Sequence, residues 1–207
     1  MKLKKIASLA LAGIMAVSML AGCNNGSGDK GEVVVNPSDT SIAGVVNNEQ
    51  SATNKVKVTF TYDSNLENYL KQAIAIKGTG SSVTNDVEEL VKKLTAETYV
   101  TSFWDENTKP SASVDVDGKS QTYLDLIVVD STQATTEKAA MKVVANQIDE
   151  MIADNLVERT ANVNPDSKYY VYGYEGSIAM VSVTNANNTV TYYVVGTVTQ
   201  TATEKEA

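Results

Sequence analysis

The chain has 207 residues, a formal net charge of −8 at pH 7, one cysteine and no histidine. The missing imidazole excludes His-based catalytic triads and His-ligated zinc, and the lone cysteine excludes an intrachain disulfide. The acidic balance argues against nucleic acid and anionic lipid as partners.

The chain opens on Lys2, Lys4 and Lys5, followed by an uncharged apolar run from Ile6 to Leu20 that closes with Leu20-Ala21-Gly22-Cys23. A positive start, a short apolar core and small residues at the cleavage point are marks of a secretory signal. The run of about 15 residues falls short of the roughly 20 that span a bilayer as a helix. The tetrapeptide resembles a lipobox, the motif of bacterial lipoproteins. That resemblance implies diacylglyceryl transfer to the sulfur of Cys23, cleavage before it, and an extracytoplasmic protein held to the membrane by acyl chains. Residues 1–22 are then a signal peptide. Cleavage removes three of the 17 basic residues, so the mature chain sets 14 against 25 acidic ones, a net of −11.

Residues 23–54 are rich in Asn, Gly, Ser and Asp and read as a flexible tether. Val33-Val34-Val35 and Ile42 to Val46 are apolar patches within it that could pair as an edge strand. Val56, Val58, Phe60 and Tyr62 alternate with Lys57, Thr59 and Thr61, the period of a half-buried strand. Ser64 and Glu67 match a capping box. Behind them Leu66, Tyr69, Leu70, Ala73 and Ile74 share one helical face, and Gly78 ends that helix. Asn85 and Glu88 repeat the cap more loosely before Val87, Leu90, Val91 and Leu94. Tyr99 to Trp104 reads as a short strand. Strands at Val114–Val116 and Tyr123–Val129 flank Asp117-Gly118, a hairpin signal. A long helix over 134–156 carries a stripe of Ala140, Val144, Ile148, Met151 and Ile152. Asn164-Pro165-Asp166 is a turn. Strands over 169–174, 177–183 and 190–199 follow, the last two joined by a loop at Asn185 to Asn188. Residues 201–207 read as a frayed tail. The order predicts one small α+β domain over 55–200, with an antiparallel or mixed sheet and helices packed on one face.

Asp86 to Leu94, Ala112 to Ile127 around Asp117-Gly118, the long helix, and Tyr169 to Glu175 resemble the sporulation-and-germination (GerMN) domain. The resemblance spans about residues 55–176. It departs at a hairpin after Gly176 and at the polar link from Val157 to Lys168. It implies a small α+β domain with an envelope-assembly or wall-associated binding role, and it carries no catalytic residues.

Few side chains invite chemistry. Asp115, Asp117 and Gly118 have part of a calcium-loop pattern, but the ends at Ser113 and Leu124 do not fit. Gly78 to Ser82 has the composition of a phosphate loop but follows a helix rather than a strand. Asp105, Glu106, Asp125 and Asp130 are candidate acids for a glycan hydrolase, which needs two carboxylates across a cleft. Asp149, Glu150 and Asp154 read as the solvated face of the long helix. The best binding candidates are aromatic. Tyr170, Tyr172 and Tyr174 share one strand face, Tyr192 and Tyr193 lie on the last strand, and Trp104 could form an edge. Tyrosine offers an apolar ring and a polar tip, suited to sugar or protein contact. No cofactor or metal is expected. The leading reading is a non-enzymatic, lipid-anchored binding or assembly module of the cell envelope, contacting wall glycan or an envelope protein. A carboxylate-based glycan hydrolase is the alternative. A two-domain solute receptor is disfavoured by size.

Overall fold

The computed structural model describes residues 40–100, 117–159 and 168–206. Cys23, the patch at 33–35, Trp104, Asp105, Glu106, the strand expected at 114–116 and the turn at 164–166 lie outside the described residues.

The first described element is a helix, α1 (Ile42–Glu49). Ser41 caps it by accepting a hydrogen bond from the Gly44 amide at 3.1 Å. Ile42, Ala43 and Val46 are buried in the core. The tether expectation is therefore corrected over its last part: the patch at 42–46 is a packed helix rather than a link or an edge strand, because a cap precedes residues spaced to bury one helical face.

β1 (Thr59–Tyr62) leads into α2 (Ser64–Lys77). The N-cap of α2 is Asp63, whose carboxylate accepts from the Asn65 and Leu66 amides, rather than Ser64. Glu67 is instead held by Lys71 at 2.7 Å. Gly78 ends the helix with φ near 90°. A 3-10 turn (Ser81–Val83) joins it to α3 (Thr84–Thr95). The loose cap expected at Asn85 does not form, and Glu88 instead pairs with Lys92 at 2.7 Å. β2 (Ser120–Val129) and α4 (Glu137–Asn155) follow. Thr136 caps α4 through its hydroxyl on the Ala139 amide, and the expected stripe is buried at Ala140, Val144, Ile148 and Ile152.

β3 (Lys168–Thr184) and β4 (Val190–Glu206) form one long antiparallel hairpin. Two sequence expectations change here. β3 runs unbroken through Gly176, where a break was expected. Gly176 serves close packing: a Cβ there would lie 2.4 Å from the Phe60 ring. The supposed tail, Thr201 to Glu206, is the end of β4, because each residue finds a partner between Lys168 and Gly173.

The sheet order is β1-β3-β4-β2, with β1 parallel to β3 and the other pairs antiparallel. A single small α+β domain with a mixed sheet is what forms. The helices, expected on one face, divide between two. α1 and α4 pack on the side carrying Tyr123, Ile127, Ile178 and Val194. α2 and α3 pack on the side carrying Leu124, Leu126, Ala179 and Val195. The central strands are apolar at successive positions because both sides are covered.

The free edge of β1 is closed by side chains. Asn47 of α1 donates to the Phe60 carbonyl and accepts from its amide, both at 2.8 Å. Gln50 makes the same pair with Val58, at 2.6 and 3.0 Å. Two carboxamides thus stand where a neighbouring strand would pair.

Candidate functional site

All but one of the predicted tyrosines occupy the α1–α4 face. Tyr174 is buried, donates to the Val157 carbonyl at 2.9 Å and accepts from Gln200 Nε2 at 3.0 Å. Gln200 is 1% exposed, and its Oε1 accepts from Gln121 at 2.7 Å beside the buried Tyr123 hydroxyl. Burial pushes the Tyr174 hydroxyl up to about 12 and raises Tyr123 as well. These groups form one satisfied network under the chain that leaves α4. Tyr192 is buried in the same core. Tyr170 and Tyr172 are half-buried, the first with its hydroxyl 3.4 Å from Glu204 and the second with its amide on the Glu158 carbonyl. Tyr193 points to the opposite face, fully buried, and its hydroxyl accepts from the Gly80 amide at 2.8 Å. The structure therefore brings Tyr170, Tyr172 and Tyr174 onto one face, with Tyr174 buried and the other two half-buried. That Gly80 amide lies in the connector between α2 and α3, and its hydrogen bond goes to a tyrosine rather than to a phosphate-binding position.

Of the four candidate acids, the two within the described residues do not converge. Asp125 is buried on the α1–α4 face. Asp130 lies just past β2, where its carboxylate accepts from the Thr132 amide and hydroxyl and from the Gln133 amide. The Thr132 hydroxyl first of all holds that carboxyl below its ordinary range. Five residues of extended chain separate the two by about 17 Å, against the roughly 5 to 10 Å a glycosidase pair needs. Asp149 accepts from the Ser51 amide and from Asn54 Nδ2, each at 2.7 Å, so it anchors the loop after α1 rather than standing in solvent. Asp117 accepts from the Glu204 amide. Among the described residues, no group of three acidic, Cys or His side chains is placed to hold a metal ion, and no helix is long and apolar enough to cross a membrane.

What the sequence reading missed lies on the other side of the sheet. α2 and α3 cover one half of the α2–α3 face, down to Val195 on β4 and Leu124 on β2. Beyond that line the same face carries hydroxyls in register. One row runs Thr61, Ser177, Thr197 across β1, β3 and β4. The next runs Thr59, Glu175, Thr199, Thr122 across all four strands. A third runs Gly173, Thr201, Ser120. The Thr122 and Thr199 hydroxyls are 3.0 Å apart, and those of Ser120 and Thr201 are 2.8 Å apart. Thr61, Gly173, Glu175 and Ser120 are exposed, and the other members are half-buried. The signal was present as hydroxyls at every second position, Thr197, Thr199, Thr201 and Thr203, but alternation does not say which face the helices leave open.

Compared with family models, with curated proteins and with solved structures, the chain finds no match.

Proposed function

We propose that this chain is a lipid-anchored protein of the bacterial cell envelope whose domain works as a non-enzymatic binding or assembly module. The anchor reading rests on Lys2 to Cys23, and the resemblance to the sporulation-and-germination domain supports the same setting. The module reading is carried by one observation: the described surface presents rows of hydroxyls in register across the strands, with Glu175 as their single charge. Rigid sheet surfaces suit recognition because little side-chain freedom is lost on contact.

The test uses the full chain expressed in a bacterium fed labelled palmitate, beside Cys23→Ala. The intact chain takes up label and partitions into detergent, and the variant does neither. Incubation of the intact chain with cell envelope gives saturable retention without released sugar. Unlabelled chain in the aqueous phase overturns the anchor, and released sugar turns the domain into the alternative, a glycan hydrolase.

A further inference from the structure

We propose that the hydroxyl half of the α2–α3 face is a binding site for a neutral polysaccharide laid flat across the strands. The proposal rests on the binding-module reading and names the ligand class of that module.

The first argument is geometric. Strand spacing sets the row positions about 4.8 Å apart across the sheet and about 6.8 Å apart along each strand. Threonine is stiff about its first side-chain torsion, and the Thr122–Thr199 and Ser120–Thr201 contacts pin four of the hydroxyls further. The array is thus organised before any ligand arrives. Gly173 leaves open ground in the third row, since a Cβ there would meet nothing within 4 Å. A polymer can approach the backbone closely at that point.

The second argument is chemical. A hydroxyl both donates and accepts, so each threonine complements a sugar hydroxyl in either orientation, and its methyl offers apolar contact to a ring. The rows carry one charge, Glu175, in a chain of net charge −8. Anionic polymers are repelled, and a cation finds a single carboxylate. Protein partners are held mainly by buried aromatic and arginine anchors. The rows have none, and the large exposed apolar residues Tyr62, Ile76 and Val157 lie off them. The complementary occupant is neutral and rich in hydroxyls.

The experiment is a depletion-binding assay of the detergent-purified full chain on insoluble chitin, cellulose and mannan, with alginate as the anionic comparison. Saturable binding to a neutral glycan, insensitive to salt and absent on alginate, is expected. Thr199→Val with Thr201→Val keeps the branched side chains and removes two hydroxyls, which should weaken binding about tenfold. Gly173→Gln should weaken it by blocking the shelf. Both variants should melt as the parent does, and Tyr172→Ala, on the opposite face, should bind as the parent does. Retention on none of the neutral glycans overturns the proposal, as does equal binding by both variants. Envelope retention that survives both variants removes this site while leaving the module reading. Loss of retention on envelope and glycan alike removes both.

Discussion

Along β4 the two faces of the sheet part company. The side chains on the α1–α4 face are buried from Tyr192 through Ala202, whereas those on the α2–α3 face are buried only as far as Val195 and are then hydroxyls. On the first face polar groups that reach the interior are absorbed: Tyr123, Tyr174, Gln121 and Gln200 satisfy one another and the Val157 carbonyl. On the second they stay outside in rows. The same strands thus build a packed interior and an open lattice. The difference lies in what the helices cover, not in the propensity of the strands.

If the α1–α4 face is the structural one, damage there should dominate. Phe60 is 1% exposed and wedges against Gly176 across the β1–β3 pair. Phe60→Ala should cost about 3–5 kcal/mol, read as a fall in the denaturation midpoint. A smaller insult from the other side of that contact is Gly176→Ala. Its methyl would sit 2.4 Å from the ring, and overpacking of this kind costs about 1–3 kcal/mol. A parent-like midpoint for Gly176→Ala would mean that the ring moves aside and the face is looser than its burial implies.

The buried network gives a pH-dependent version of the same test. Burial holds the Tyr174 hydroxyl at about 12 against an ordinary 10, so the unfolded chain releases that proton first as pH rises. The sign follows: this contribution to stability is intact below about pH 10 and is lost between about pH 10 and about pH 12, of order 2 kcal/mol in all. Urea midpoints taken across that window should fall, and Tyr174→Phe should flatten the fall. An unchanged slope in the variant would place the alkaline sensitivity elsewhere. Next in size is the β1 edge. Asn47→Ala leaves the Phe60 amide and carbonyl without their partner, at a cost of about 1 kcal/mol. With Gln50→Ala added, light scattering should show concentration-dependent association, since an unpaired strand edge is a template for another chain.

Much of this was legible in the sequence, and the failures share a cause. The stripes of α2, α3 and α4 follow from helical spacing, and the core of β2 follows from its apolar run. Local pattern decides those elements. Asn47 and Gln50 carry no local sign of their role, because their partners, Phe60 and Val58, are eight or more residues away. The end of β4, Thr-Ala-Thr-Glu-Lys-Glu, is polar enough to read as a tail and is a strand only because β3 continues opposite it. Gly176 reads as a break until Phe60 is seen against it. The tyrosines were rightly grouped on one strand face, but the chain leaving α4, which takes the Tyr174 hydroxyl, gave no warning of that contact.

The smallest predicted effect sharpens the contrast most. Thr199 is half-buried and pairs with Thr122 across β2 and β4. Valine has the same branched shape and strand preference, and the hydroxyl it replaces lies at a surface where water can serve Thr122 instead. Thr199→Val should therefore change stability by less than about 0.5 kcal/mol, measured beside Phe60→Ala under the same conditions. A near-zero value says that the hydroxyl rows are not there to hold the fold, which leaves contact with something outside the chain as their use. A loss comparable to that of a buried network residue would make the rows part of the scaffold and bring the two faces back to a single role.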